Sequence, residues 1–114
     1  MNIINTGPDT LDFTGQAVPG CSTIVYYYEN HGYDGSGSAV ALIDNPFGNF
    51  VAYRISLGHC SCYGPLDEVK WDPMTLADVH MYLGGSDSES VALREKVYPR
   101  LGITGETPCV RVIQ

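Results

Sequence analysis

Three short apolar runs, Ser22 to Tyr28, Ser38 to Ile43 and Phe50 to Leu57, dominate the middle of the chain. Each is rich in β-branched or aromatic residues and is bounded by Gly, Pro, Asn or Asp, the signature of strands of five to eight residues or so. In the third run Val51, Tyr53 and Ile55 alternate with Ala52, Arg54 and Ser56, so one sheet face is buried and the other wetter. The connections, Glu29 to Gly37 and Asp44 to Asn49, are polar and hold turn residues, Asn45-Pro46 among them. An antiparallel meander over residues 22–57 follows from this pattern. Residues 1–20, broken by Gly7-Pro8, Gly15 and Pro19-Gly20, read as an irregular arm or an edge strand.

The period changes after Trp71. Asp72-Pro73 reads as a helix start, a carboxylate cap followed by Pro at the first helical position. Leu76, Val79, His80 and Leu83 follow at helical spacing until Gly84-Gly85. Ser86 to Glu89 has capping-box spacing and opens a second helix through Val91, Leu93, Arg94 and Val97, which Pro99 ends. The pair occupies residues 72–98. Alternation over residues 108–113 predicts a final strand. The expected fold is α+β: an antiparallel sheet of about four to five strands with two helices packed on one side. At 114 residues with 44% apolar content, one domain accounts for the whole chain.

Charge narrows the partners. The net charge is −7, and residues 1–53 carry Asp9, Asp12, Glu29, Asp34 and Asp44 without a single Lys or Arg. Phosphate backbones are bound through basic side chains, so direct nucleic-acid binding is not expected. An acidic face suits a basic protein; the wide spacing of the acids argues against imitation of DNA. No window approaches the roughly 18 apolar residues of a membrane span, and the opening residues lack a basic leader, so the chain is expected to be cytoplasmic without a membrane partner.

Cys21, Cys60, Cys62 and Cys109 are then expected as reduced thiols or metal ligands rather than disulfides. Residues 58–65, the Cys/His turn, place His59, Cys60 and Cys62 within four positions. Imidazole and thiolate are zinc's preferred ligands, and Cys21 or Cys109 could complete a closed structural site. The one-residue gap in Cys-Ser-Cys is tighter than the usual zinc spacing. In an extended chain it would leave His59 on the other face from the two thiols. Packed free cysteines are the simpler reading, so no cofactor is required and zinc remains an open alternative. An imidazolium beside a thiol also lowers its pKa, which makes a cysteine- or metal-based enzyme the competing function. No orienting acid accompanies the motif, and no catalytic residue is assigned. Gly32 to Ser38 resembles a phosphate loop only in its glycines, since a strand rather than a helix follows.

Eight tyrosines, three of them consecutive at 26–28, mark a different surface. Tyr26 and Tyr28 share one strand face and Tyr27 takes the other. Tyrosine suits interfaces because its ring is apolar and its tip polar. With His31, Tyr33 and Asp34 in the adjoining loop, Tyr26 and Tyr28 form the candidate partner or ligand surface. His80 reads as an ordinary helix-face residue. An exposed edge strand would also permit a homodimer.

The run Gly58-His59-Cys60-Ser61-Cys62-Tyr63-Gly64-Pro65, preceded by the Tyr33 to Gly37 loop and the strands from Ser38 to Leu57, resembles a segment of small uncharacterised bacteriophage accessory proteins. The resemblance spans roughly residues 23 to 71. It implies a non-enzymatic factor for host takeover or anti-defence that binds a host protein or small ligand, and it carries over no activity.

Overall fold

A computed structural model describes residues 2–13, 21–32, 34–43, 50–58 and 70–102, and the side chains of all but Cys21 and Ser22 among these. Their order is β1 (Asn2–Asn5), β2 (Cys21–Asn30), β3 (Gly35–Ile43), β4 (Phe50–Ser56), β5 (Asp72–Thr75), α1 (Leu76–Leu83), α2 (Ser88–Val97) and a 3-10 turn (Pro99–Leu101). The sheet is five-stranded, and its spatial order β1-β2-β3-β4-β5 is the chain order. β2, β3, β4 and β5 pair antiparallel, as the alternating runs predict. β1 pairs parallel with β2, Asn2 opposite Thr23 and Asn5 opposite Tyr26, so the fold is α+β on a mixed sheet. The predicted Cys/His turn beyond Gly58 and the predicted strand over 108–113 lie outside the described residues.

Both helices lie on one face of the sheet. Val79 and Leu83 of α1, with Leu93 and Val97 of α2, close over Val25, Val40, Leu42, Ala52 and Met74. A fully buried aliphatic side chain of this kind contributes roughly 1.5–3 kcal/mol. The opposite face has its own core of Ile24, Tyr26, Tyr28, Ala39, Ala41, Ile55 and Leu57, onto which Phe13 packs from the N-terminal arm. Leu11, Tyr53 and Trp71 border it. Strand alternation thus splits the sheet side chains between two cores, in the manner expected when both faces are covered.

Two boundaries differ from the sequence expectation. Asp72-Pro73 does not start a helix: it lies in β5, an edge strand, where a proline is tolerated, with Asp72 opposite Arg54. The cap falls three residues later, because Thr75 and Asp78 satisfy each other. Thr75 Oγ1 accepts from the Asp78 amide at 3.2 Å, and Asp78 Oδ2 accepts from the Thr75 amide at 3.0 Å. α2 is capped by Asp87 rather than by Ser86, its carboxylate accepting from the Ser90 amide at 3.1 Å. Glu89 is therefore free to accept from the buried Ser38 hydroxyl at 2.7 Å, tying α2 to β3. These capping bonds pull the Asp87 carboxyl below the usual carboxylate range.

The Gly35-Ser36-Gly37 stretch belongs to β3 rather than to the loop before it. Gly37 has φ +152°, and a Cβ there would stand 2.0 Å from the Tyr27 carbonyl oxygen on β2. Only glycine lets the two backbones approach this closely.

Candidate functional site

The β2–β3 hairpin closes at the Asn30–Gly35 pair. Two bonds link described residues of its connection: the His31 amide donates to the Asp34 carbonyl at 2.7 Å, and the Gly32 amide to Asn30 Oδ1 at 2.8 Å. Asparagine here imitates a backbone turn, and Gly32 supplies the positive φ of +97° that the turn needs. The N-terminal arm fastens the same end. The Asp9 amide donates to the Tyr28 carbonyl at 3.1 Å, while the Asp9 carboxylate accepts from the Asn30 amide at 2.8 Å.

What projects from this frame is polar. His31 and Asp34 are exposed and Glu29 half-buried. The His31 ring sits 3.3 Å from the Ser36 hydroxyl through Nε2 and 4.0 Å from the Glu29 carboxylate through Nδ1. Asp9, Glu29 and Asp34 therefore share the hairpin end. Asp9 and Asn30 are members of this end that the sequence does not reveal, because 21 positions separate them. Tyr33 lies outside the described residues.

Tyr26 and Tyr28 take a different place from the expected one. They do share a face, but it is the closed face: Tyr26 is 1% exposed and Tyr28 4%. The Tyr26 hydroxyl accepts from the Leu11 amide at 3.0 Å, and its ring meets Phe13 at 5.0 Å between centroids, tilted by 56°. Burial, with the Asp9 charge as the smaller cause, pushes the Tyr28 phenol up. Both rings are core, packed with Phe13 and Leu11 of the arm, and present almost no surface to solvent. The physical reason is the arm itself: Leu11 and Phe13 supply the cover that a stretch broken by glycine and proline did not advertise.

Other polar groups serve the fold. His80 Nδ1 lies 3.2 Å from the Tyr98 hydroxyl, with the rings edge-on. Burial raises the Tyr98 phenol, partly offset by the positive charge of Arg94. Arg94 donates to the carbonyls of Leu83 at 2.7 Å and Gly85 at 2.8 Å, capping the end of α1. Arg54 stands over the Tyr82 ring at 4.4 Å. His59, Cys60 and Cys62 lie outside the described residues, and among the described residues no three His, Cys, Asp or Glu side chains converge to hold a metal ion. No described helix is long and apolar enough to cross a membrane.

Comparison with family models, curated proteins and solved structures found no match to this chain.

Proposed function

We propose that this chain is a small non-enzymatic binding protein whose working surface is the acidic, histidine-bearing end of the β2–β3 hairpin, and that its partner is a protein presenting a basic patch. One observation carries the reading. The described backbone at the hairpin end is tied by hydrogen bonds donated by His31, Gly32, Asp9 and Asn30, and leaves His31 and Asp34 exposed. Preorganised backbone lowers the entropic cost of association, which favours recognition over a merely solvated turn. Clustered acids also steer a basic partner toward productive encounter. A phage-type role against a host component rests on the resemblance of residues 58–65 and their preceding strands.

The test compares three forms of the full chain in capture from host lysate. A Glu29→Gln/Asp34→Asn double variant is expected to lose a partner that the parent retains, with binding that weakens as salt rises. Glu95→Gln, an exposed acid on α2, is expected to leave capture unchanged. Equal capture by all three forms would remove the hairpin end from the interface.

A further inference from the structure

Pairing of β2 with β3 brings a hydroxyl, an imidazole and a carboxylate together. The register sets Ser36 of β3 directly opposite Glu29 of β2, so the two side chains share one face of the sheet. His31 stands two positions beyond Glu29, and its ring reaches both. Its Nε2 lies 3.3 Å from the Ser36 hydroxyl, and its Nδ1 lies 4.0 Å from the Glu29 carboxylate. A negative charge on that side favours the tautomer with its proton on Nδ1, which leaves the Nε2 lone pair facing the Ser36 O–H. This is the order of groups that turns a serine into a nucleophile. The backbone beneath them is tied, through the His31 amide to the Asp34 carbonyl and the Asn30 amide to the Asp9 carboxylate. Ser36 is exposed, so its oxygen is open to an incoming group.

We propose that Ser36 is an acylation site: its oxygen takes the acyl group of an activated ester, with His31 as proton acceptor and Glu29 as the residue that positions the ring. In the step, Ser36 Oγ bonds to the acyl carbon while its proton passes to His31 Nε2. The ester C–O bond then breaks, and the departing oxygen takes that proton from Nε2. Acyl-Ser36 remains, and one alcohol is released.

Charge selects the donor. Glu29 beside the ring and the exposed Asp34 in the same connection make the surroundings anionic. Cationic or neutral esters are therefore favoured over acyl phosphates and other anionic donors. The transfer is stoichiometric and needs no turnover, so it stands beside the binding role rather than replacing it. It does not depend on a basic partner: capture from lysate and acylation of Ser36 are read separately.

Incubation of the full chain with p-nitrophenyl acetate, followed by peptide mapping, is expected to acetylate Ser36 at least about tenfold faster than Ser86, an exposed serine between the two helices. His31→Gln is expected to bring Ser36 down to the Ser86 rate. Glu29→Gln is expected to slow Ser36 about threefold or more, and Glu29→Asp, which keeps the charge, to slow it less. A phenyl acetate bearing a trimethylammonium group is expected to outpace one bearing a carboxylate, each normalised to its hydrolysis in buffer, and the gap to narrow at high salt. Labelling of Ser36 no faster than that of Ser86 in the parent would overturn the proposal, and that comparison holds even where a variant fails to fold. Undiminished labelling in a folded His31→Gln protein, or preference for the anionic ester, would overturn it equally.

Discussion

Replacing Tyr26 with Phe deletes one oxygen from the arm-side core and leaves the ring in place. That oxygen accepts from the Leu11 amide at 3.0 Å, on a residue 1% exposed. A made hydrogen bond contributes about 0.5–1.5 kcal/mol net, and a stranded amide costs about 1–3 kcal/mol. With the Leu11 bond only part-buried, the substitution is expected to cost about 1–2 kcal/mol. For a chain of 114 residues that corresponds to a fall in Tm of about 4–8 °C. Urea unfolding should show a lower midpoint with an unchanged slope, since the surface exposed on unfolding is the same. The loss is also local. The arm that carries Leu11 carries Asp9, whose carboxylate holds the Asn30 amide. Hydrogen exchange at Asn30 is therefore expected to quicken more than at Leu93 in the opposite core. A stability change under about 0.3 kcal/mol, or equal acceleration at both amides, would refute the link between the Tyr26 hydroxyl and the docked arm.

Gly37→Ala drives a Cβ into the Tyr27 carbonyl and is expected to cost more than about 3 kcal/mol, whereas Gly32→Ala, with open space around it, costs only the left-handed backbone penalty of about 1–2 kcal/mol; paired denaturation curves check the contrast. The folded Asp87 carboxyl titrates below its unfolded value, so its stabilisation is present above the unfolded pKa and disappears as pH falls through the folded one. Melting of the parent and Asp87→Ala should accordingly differ at neutral pH and converge on acidification through the carboxylate range. Cys60→Ser is expected to leave melting and the zinc content of purified protein unchanged; a joint loss of both would establish a structural metal.

The strands between residues 21 and 56 are legible because a half-buried strand must alternate, and these runs do. The same alternation places Tyr26 and Tyr28 on one face, but it carries no information that the face opposite the helices is covered as well. That depends on Phe13 and Leu11, brought in by the path of the arm. The parallel pairing of β1 is invisible for a similar reason: nothing in Asn-Ile-Ile-Asn encodes the direction of a neighbour far along the chain. At residues 72–75 two local signals compete. The Asp-Pro helix start is common, yet the reciprocal Thr75–Asp78 cap satisfies two backbone donors where a single aspartate would satisfy one. The hairpin end was legible in His31 and Asp34, which are local, and not in Asp9.

A sheet whose spatial order repeats the chain order also has a folding history. β2, β3 and β4 meet by successive neighbour pairings across connections of four and six residues, so the entropic cost of each closure is small, whereas β5 is reached across fifteen. β1 likewise lies fifteen residues from its partner, and its parallel pairing admits no tight turn. The N-terminal strand and its arm are thus expected to dock after the β2–β3–β4 meander has formed. Refolding followed at Tyr26 should lag behind that followed at the β3–β4 pairing, since the tyrosine core is complete only when the arm arrives.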